Sequence, residues 1–543
     1  MKPHFPDWYS PETGICHSKH PSVLLPNDPF LDVVSFIFSH QHHGLSALID
    51  SSSGFSISYS KLFPLVNSVA SGLRKMGVSQ GDVVLFLLPN SIYFPIVFLG
   101  VLYLGAIVTA TNPFSSVQEI EKQATDCNVC FAFAVKENLI KLKASGIPAV
   151  IVPENVDSEP NEFSAFYELI YGNFDPTPMP LIRQQDTAAI MFSSGTTGVS
   201  KGVVLTHRNF IAAVELFVRF EASQYEYSSS KNVYLAVLPM FHIYGMTLFV
   251  TGLLSLGTSV VVMRKFDVDE MVKAIDKYRI THFPTVPPVL IALTKRVKSV
   301  CGNLCKSLKQ VSSGAAPISG KDIEEFVQTL PHVDFIQGYG LTESTAVGTR
   351  GFNTEKCRKY SSIGLLAPNM QAKIVDSVTG ASMPPGSCGE LCLWGPGTMK
   401  GYFKNIEATL STIDNDGWLH TGDIGYIDED GYLYINDRLK EMIKYRGFQI
   451  APADLEAVLT SHPEIIDAAV TAATDGECGE IPVAFVVRKQ GSKLNHGAVI
   501  DYVAKQVAPY KKVRKVAFVQ SIPKSAAGKI LRRVLRNSIT SSL

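Results

Sequence analysis

The chain has 543 residues, more than a single hydrophobic core usually accommodates, so we expect at least two domains. Its content of 46% hydrophobic and 18% charged residues excludes a disordered chain. The 49 basic residues balance the 49 acidic ones, which leaves no overall charge to attract nucleic acid. A small-molecule substrate is therefore the expectation.

The cysteines and the N-terminus indicate a reducing compartment. The nine cysteines extend from Cys16 to Cys478 in no disulfide-framework spacing, and the first eleven residues hold three prolines and an aspartate where a signal peptide needs an apolar block. Cys127 and Cys130 form a lone C-x-x-C pair. Cys388 and Cys392 are too isolated from histidines in the sequence to suggest a zinc site. We interpret these four residues as buried free thiols.

Residues 83 to 118 contain no charged side chain, a length that could suggest a membrane span. Proline and asparagine divide the stretch into two strand-like runs, Val83 to Leu88 and Ile107 to Thr111, around a helix-length segment, Ile92 to Ala106. Parallel strands that are covered on both faces have this composition. The apolar run Leu248 to Met263 is interrupted by Thr, Ser and Gly, so no transmembrane helix is predicted.

A run of glycine and hydroxyl residues, Ser193 to Gly202, follows the apolar stretch Ala188 to Phe192. Glycine lets backbone N–H groups turn toward an anion, the hydroxyls donate hydrogen bonds, and Lys201 supplies a positive charge. This composition predicts a polyphosphate cradle, although a flexible surface turn shares it. The run is not the P-loop of nucleotide hydrolases, because Ser200 precedes the lysine and Gly202 follows it.

Three short segments further along carry groups suited to a nucleotide. Within Gln337 to Glu343, Thr342 can bind a phosphate oxygen and Glu343 can hold Mg²⁺, although a Thr-Glu pair also begins helices. The small residues Ser313 to Pro317 leave room for a planar group or form a tight turn. In Trp418 to Asp423 a carboxylate beside glycine suits ribose hydroxyls, although Asp is also a common turn former.

Strand-like and helical stretches alternate as far as Ile435, which predicts a large doubly wound α/β domain. A charged string then interrupts the pattern and is interpreted as a hinge between predicted domains at 1–436 and 437–543. The second domain is predicted to be a small α+β unit. Its elements are a helix at Ala453 to Thr460 and strands near Ile466 to Val470 and Pro482 to Arg488.

The order of these segments resembles that of the 4-coumarate:CoA ligases, plant members of the adenylate-forming acyl-CoA synthetase superfamily. The phosphate loop, the GYGLTE block, the HTGD block, the segment DRLKEMIKYRGFQI and the terminal PKSAAGK follow one another as in that family, over nearly the whole chain. The resemblance implies two half-reactions. A carboxylate and ATP form an acyl-AMP with release of pyrophosphate, and coenzyme A then takes the acyl group as a thioester; Mg²⁺ is the implied metal.

The resemblance also implies roles for individual positions of this sequence. The ATP loop comprises Ser193, Ser194, Gly195, Thr196, Thr197 and Lys201, and the acyl-adenylate site comprises Ala315, Gln337, Gly338 and Thr342. Asp423 and Arg438 match ribose-side contacts, and Lys440 and Lys444 match nucleotide-side lysines. The catalytic positions are His242, Lys444, Gln449 and the adenylation lysine, Lys529. Lys265, Arg446 and Gly447 match positions that meet coenzyme A, His242 lies beside the acyl carboxylate, and Tyr244 is a wall of the acyl pocket.

The implied reaction needs positive charge. Attack of a carboxylate on the α-phosphate brings two anions together, so Mg²⁺ near Glu343, Lys201 and Lys529 lower the barrier. Without the resemblance, Lys529 would be interpreted as a solvated lysine and His242 as a core histidine. The resemblance further implies a rotation about residues 437–440, which exchanges Lys529 for Gly447 and its neighbours between the half-reactions.

Two departures from the family pattern leave the acid substrate open. Trp394 stands within Gly389 to Gly395 where the family usually has arginine, and residues 245–247 differ from the usual hydroxycinnamate version. A cinnamate, a fatty acid or an alicyclic acid is compatible with these changes. We therefore expect a hydroxycinnamate or a related aromatic or fatty acid.

Other functions share part of this pattern. A luciferase-like oxygenase, or another acyl-adenylate enzyme with a different acceptor, shares the first half-reaction. An amino-acid adenylation domain needs an acidic residue in the acyl pocket, and residues 242–245 offer none. A non-catalytic binding protein is disfavoured because every charged residue of the pattern is present.

The last three residues, Ser541 to Leu543, resemble the serine-lysine-leucine peroxisomal signal with its lysine replaced. Arg532, Arg533 and Arg536 lie just upstream and favour import. We therefore expect a peroxisomal or cytoplasmic protein, with an import receptor as a candidate partner.

Overall fold

The computed structural model describes residues 5–155, 161–172, 174, 180–193, 201–225, 228–300, 304–354, 357–445, 448–475, 479–525 and 528–542. Within these residues the strands form four sheets. Two are largely parallel, one is antiparallel, and one belongs to the C-terminal part of the chain. The architecture is α/β, with a large N-terminal part and a small C-terminal α+β part.

The uncharged stretch around residue 100 lies in the middle of the first parallel sheet. The strands of this sheet, in spatial order, are Gly401–Tyr402, Lys201–Thr206, Thr187–Ser193, Ile107–Ala110, Val83–Leu87, Val129–Ala134 and Ala149–Ile151. Helix Tyr93–Tyr103 joins two central strands and is buried along almost its whole length. The predicted β-α-β unit is confirmed, and no helix in the described ranges is long and apolar enough to cross a membrane.

The second sheet is parallel in its centre and antiparallel at its edges. Its strands, in spatial order, are Leu365–Leu366, Thr349–Arg350, Asp334–Tyr339, Gln310–Ser313, His282–Thr285, Val233–Ala236, Ser259–Val262, Ser46–Asp50 and Ser56–Ser58. The parallel pairing extends from Asp334–Tyr339 across to Ser46–Asp50. Together the two sheets confirm the doubly wound α/β expectation.

The prediction that this alternation continues to Ile435 is wrong. Most strands between residues 371 and 438 instead form an antiparallel sheet together with two short strands near the N-terminus. Its order is Tyr9–Ser10, Ile15–His17, Gln371–Val375, Gly389–Trp394, Leu419–Ile427 and Leu433–Arg438, with Ser382–Met383 paired to the third strand. Short turns join several of these strands, so helical crossovers are not needed. Alternating apolar runs in the sequence do not distinguish the two kinds of connection.

The C-terminal sheet has a hydrophobic core of its own. Its strands, in spatial order, are Phe448–Ile450, Ile443–Tyr445, Gly479–Arg488 and Ile465–Asp475, and Lys515–Phe518 pairs in parallel with Gly479–Arg488. The core on one face contains Leu455, Leu459, Val470, Val486 and Val499. The predicted helix and both predicted strands are present, and the strands are longer than expected.

The α-helices cover the sheets. They are Val33–Ser39, Tyr59–Lys75, Tyr93–Tyr103, Val117–Asp126, Ser164–Tyr171, His207–Ala213, Phe220–Ser223, Ile243–Gly245, Val268–Lys277, Pro287–Ser299, Gly320–Thr329, Ile406–Thr412, Pro452–Thr460, His496–Ala504 and Arg532–Ser542. π-helical turns extend two of them over Val214–Arg219 and Met246–Gly252. Gly100 lets two helices approach closely, because a Cβ there would lie 2.4 Å from Val69 Cγ1.

The chain passes from the antiparallel sheet to the C-terminal sheet over residues 439–442. The strand that ends at Arg438 belongs to the first, and the strand that begins at Ile443 belongs to the second. Asp437 is buried and its Oδ2 accepts a hydrogen bond from the backbone N–H of Ala453 at 2.8 Å. The division into domains at 436/437 stays a prediction.

Candidate active site

A cavity of about 1430 Å³ lies at the carboxyl ends of strands from both parallel sheets. Ala110 and Ser193 end strands of the first sheet, and Tyr339 ends a strand of the second. Gly314 and Ala315, which also line the cavity, follow the strand Gln310–Ser313. Ligands of open α/β sheets bind outside these strand ends. The fold therefore places the cavity where a ligand is expected.

Most of the predicted site residues that the structure describes line this one cavity. They are Ser193, Lys201, His242, Tyr244, Ala315, Gly338, Thr342, Glu343, Arg438, Lys440, Lys444 and Lys529. Residues from the N-terminal sheets and from the C-terminal part of the chain meet here. The structure thus brings together groups that are up to several hundred residues apart in the sequence.

Three other predicted residues that the structure describes are not part of the cavity lining. Gln337 is buried beside it and donates from Nε2 to the backbone oxygen of Tyr360 at 2.8 Å. Lys265 is exposed on the surface outside the cavity. Asp423 is buried behind the lining. The predicted residues that lie outside the described residues are Ser194, Gly195, Thr196, Thr197, Arg446 and Gly447, together with the side chain of Gln449.

Glu343 is the centre of a hydroxyl and carboxylate cluster in the cavity wall. Its Oε1 accepts hydrogen bonds from Ser193 Oγ at 2.9 Å and from the Tyr402 hydroxyl at 3.0 Å. Lys201 Nζ lies over the Tyr402 ring, 4.8 Å from its centroid. Tyr402 was missed by the sequence reasoning, because no local pattern marks it. Its strand pairs with the strand of Lys201, and that long-range pairing brings the two residues together.

Asp423 is held by two residues from different strands. Its Oδ2 accepts a hydrogen bond from the Tyr339 hydroxyl at 2.6 Å, and its Oδ1 lies 3.4 Å from Arg438 Nε. Burial raises the pKa of Asp423, while Arg438 and the Tyr339 hydrogen bond act in the opposite direction. Tyr339 belongs to a motif that the sequence indicated, but its contact with Asp423 was not predicted.

Lys529 reaches the cavity from the C-terminal part of the chain. The pKa of Lys529 is lowered to about 8. Burial is the main cause, and the positive charge of Arg438 is the second. The neighbouring Gly528 has a positive φ of 77° and lies close to helix Pro287–Ser299. A Cβ at position 528 would lie only 2.7 Å from Pro288 Cδ. A glycine at this position therefore permits the close approach that carries Lys529 into the site.

Arg532 anchors the segment that carries Lys529. Its Nη2 donates to Glu456 Oε1 and Oε2 at 2.6 and 2.8 Å, and its Nε donates to the backbone oxygen of Val470 at 2.9 Å. Nη1 forms an ion pair with Glu441, which follows Lys440 in the linking segment. All three charged side chains are largely buried. One guanidinium thus joins three parts of the chain: the C-terminal segment that carries Lys529, the helix Pro452–Thr460, and the linking segment 439–442.

His242 lies deep in the protein but faces the cavity, so its side chain is accessible from inside the cavity. Removal of the imidazole from bulk solvent lowers its pKa below the ordinary value, and the positive charge of Lys529 lowers it further. Its Nδ1 is 3.5 Å from the backbone nitrogen of Tyr244, at the start of a short helix. His242 is therefore neutral at pH 7 and sits within the electrostatic reach of Lys529.

An ion pair that the sequence did not indicate lies on the side of the cavity that Tyr244 lines. Arg350 Nη2 donates to Glu221 Oε1 at 2.8 Å, and Arg350 Nε lies 2.7 Å from Glu221 Oε2. The guanidinium stacks over Phe217, 5.2 Å from the ring centroid. Phe217 and Arg350 line the cavity together with Tyr244. Glu221 is 129 residues from Arg350 in sequence, so no spacing rule could have paired them.

The interpretation of Cys392 as isolated from histidines is wrong. Cys392 and His420 are paired across two antiparallel strands, with Sγ 3.5 Å from Nδ1. Glu390 Oε2 lies 3.0 Å from the same nitrogen. The hydrogen bonds with Cys392 and Glu390 raise the pKa of His420 to about 10. Sequence distance misled here because strand pairing brings residues 28 apart into contact.

Comparison with known proteins identifies the family. Residues 38–403 match the AMP-binding enzyme family, and residues 454–529 match the AMP-binding enzyme C-terminal domain. The chain belongs to the AMP-binding enzyme family, whose members form acyl-adenylates.

Within that family the chain is one of the CoA ligases that resemble 4-coumarate-CoA ligase. It is 62% identical to 4-coumarate-CoA ligase-like 6 of Arabidopsis thaliana over 99% of this chain and 96% of the relative. It is 45% identical to the peroxisomal OPC-8:0-CoA ligase 1 of Arabidopsis thaliana over 97% of this chain and 96% of the relative. These similarities confirm the resemblance to the plant ligases.

Solved structures give the same fold. The o-succinylbenzoate-CoA synthetase of Bacillus subtilis, in complex with its acyl-adenylate, has a TM-score of 0.80 and 25% identity, with 93% of this chain and 98% of that chain covered. ATP-bound MatB from Rhodopseudomonas palustris has a TM-score of 0.84 and 25% identity, with the same coverage. ATP-binding enzymes of this family therefore share the architecture of this chain.

Proposed function

We propose that this protein activates a carboxylic acid with ATP and transfers the acyl group to coenzyme A through an acyl-AMP intermediate. The observation that carries the proposal is the position of Lys201 and Lys529. Lys201 begins a strand of the first parallel sheet and Lys529 lies outside any strand in the C-terminal part, more than 300 residues away, yet both line one cavity with Glu343. Fixed cations in a cavity of this size suit a bound triphosphate.

In the first half-reaction, a carboxylate oxygen attacks the α-phosphorus of ATP. The bond from that phosphorus to the bridging oxygen breaks, and pyrophosphate leaves with the electron pair. Lys201 and Lys529 stabilise the negative charge on the phosphate oxygens. His242 is neutral, so it can hydrogen-bond the acyl carboxylate without a further charge next to Lys529. Asp423 and Arg438 are assigned to the ribose side of the nucleotide, with Arg438 in the cavity lining and Asp423 directly behind it.

The cavity wall has the donor chemistry that Mg²⁺ prefers. The Glu343 carboxylate is clustered with the hydroxyl groups of Ser193 and Tyr402, and Mg²⁺ takes oxygen ligands. These residues fit the ion, and Glu343 would hold it. Bound there, Mg²⁺ would neutralise phosphate charge during adenylation.

In the second half-reaction, the thiol sulfur of coenzyme A attacks the acyl carbon. The thiol loses its proton, the bond from carbon to the phosphate oxygen breaks, and AMP leaves. In this structure Lys529 lines the cavity, so we propose a rotation about residues 437–440 that withdraws it before the thiol enters. The domains that rotate are 1–436 and 437–543, and Lys265, Arg446 and Gly447 are proposed to contact coenzyme A.

We propose a hydroxycinnamate or a related aromatic or fatty acid as the substrate. The rings of Phe217 and Tyr244 lie 6.4 Å apart and line the cavity near the Arg350–Glu221 ion pair. Apolar and aromatic walls bind the body of such acids. The paired Arg350 is neutralised by Glu221, so the pocket does not select a second carboxylate on the acid.

A panel of carboxylic acids tests the proposed activity. Cinnamic, alicyclic and fatty acids are incubated with ATP, Mg²⁺ and coenzyme A, and AMP and acyl-CoA are measured. We expect both products with at least one aromatic or fatty acid, and none with amino acids. Pyrophosphate exchange without any acyl-CoA, or no reaction with any acid, would contradict the proposal.

The change Lys529→Ala should separate the two half-reactions. Because Lys529 is proposed to act only on the phosphates, we expect adenylation to fall by about a hundredfold or more, while thioester formation from supplied acyl-AMP continues. Lys524→Ala is the matched control, since Lys524 lies in the same segment but pairs with Asp467 at 2.6 Å. An equal loss in both half-reactions would refute the assigned role.

The pH dependence of adenylation should report on Lys529. Its pKa is lowered to about 8, so its positive charge is present below that pH and is lost as the pH rises through it. We expect kcat/KM for adenylation to decline above about pH 8. In Lys529→Arg the side chain stays charged, so the decline should disappear. The same decline in this variant would show that another group causes it.

We also propose import into peroxisomes through Ser541 to Leu543. A relative that is 45% identical to this chain is named a peroxisomal ligase. A fluorescent protein fused to the last ten residues should give punctate signal that coincides with a peroxisomal marker. Leu543→Asp in the same fusion should abolish it, because the signal requires its terminal leucine. A diffuse signal from the unaltered fusion would count against import.

A further inference from the structure

A cluster of nitrogen, sulfur and oxygen donors lies on two antiparallel strands in the wall of the cavity. Glu390 and Cys392 belong to strand Gly389–Trp394, and His420 belongs to strand Leu419–Ile427. One ligand atom from each residue lies within 4.8 Å of the other two. None of these three residues has a role in the proposed reaction. Their arrangement therefore needs its own explanation.

The geometry does not suit a nucleophile that is activated by histidine. In such a relay the thiol and the carboxylate contact opposite nitrogens of the imidazole. Here Cys392 Sγ at 3.5 Å and Glu390 Oε2 at 3.0 Å both approach His420 Nδ1. The other ring nitrogen, Nε2, lies 3.7 Å from Asp414 Oδ2. The three donor atoms therefore form one compact cluster, within 4.8 Å of one another, as the ligands of a cation do.

The outer contacts are also those of a metal site. Metal-binding histidines commonly direct their second ring nitrogen to a carboxylate, and Asp414 lies in that position. Metal-binding carboxylates are themselves hydrogen-bonded, and Glu390 Oε1 accepts from the backbone N–H of Gly422 at 3.0 Å. Cys392 is buried, whereas Glu390 and His420 line the cavity and give an ion a path from solvent.

We propose that Glu390, Cys392 and His420 form a binding site for a zinc-class divalent metal ion. A tetrahedral zinc with bonds of about 2.0 Å to nitrogen and oxygen and about 2.3 Å to sulfur separates its ligand atoms by about 3.3–3.6 Å. The observed 3.0 and 3.5 Å need only small adjustment. A thiolate and an imidazole select zinc or cobalt over Mg²⁺, which takes oxygen ligands. This proposal does not depend on the reaction that the protein catalyses.

Cobalt titration of the full chain tests the site directly. After treatment with a chelator, Co²⁺ is added and the near-ultraviolet spectrum is recorded, where a cysteine thiolate bound to cobalt gives a charge-transfer band. We expect the band to saturate at one equivalent and to be lost when Zn²⁺ is added. Zn²⁺ should also raise the thermal unfolding midpoint, because a ligand that binds the folded state stabilises it.

Two variants make the result specific. Cys392→Ser should abolish the band and the rise in midpoint, whereas Cys388→Ser should retain both, since Cys388 is exposed and adjoins the same strand. Circular dichroism without metal checks that each variant folds. Absence of a one-equivalent band in the unaltered chain would overturn the proposal, and so would an undiminished band in folded Cys392→Ser.

Discussion

The crowding of positive charge around a single cavity is the constraint on which the site depends. Lys201, Arg438, Lys440, Lys444 and Lys529 all line it. The repulsion is expressed in the pKa of Lys529, which burial and Arg438 lower to about 8. The chain offsets part of this charge with Glu343, Asp423 and Glu441. A polyanion that enters the cavity relieves the rest, so the same residues that destabilise the site without a ligand favour the binding of ATP.

Holding cations together in this way requires firm anchoring of their backbones. Lys201 begins a strand of the first sheet, and Arg438 ends a strand of the antiparallel sheet. Lys529 lies outside any strand or helix, and Arg532 supplies its anchor through Glu441 and Glu456. A buried guanidinium with two carboxylates is stabilising only when all partners are present. Arg532 therefore links the position of the tail to that of the segment between the two parts of the chain.

Local patterns predicted much of this molecule. The uncharged stretch around residue 100 identified a buried β-α-β unit because strands covered on both faces exclude charge. The glycine, hydroxyl and charged motifs, once matched to a family, supplied twelve of the residues that line the cavity. The antiparallel sheet was missed because apolar runs do not reveal their connections. Other features of the site depend on long-range strand pairing or packing, which no spacing in the sequence encodes. They are the position of Tyr402, the ion pair between Arg350 and Glu221, and the contact between Cys392 and His420.

The approach of Gly528 to Pro288 limits how firmly the C-terminal segment is held against the large N-terminal part. The atoms of the helix nearest to where a Cβ at 528 would lie are two ring carbons of Pro288, and contacts of this size contribute little free energy. The tail can therefore separate from the helix beneath it without breaking a strong bond at that point. A larger residue at 528 would collide with Pro288 and act as a wedge between the C-terminal segment and helix Pro287–Ser299, so the single hydrogen side chain of Gly528 sets how closely the two can lie.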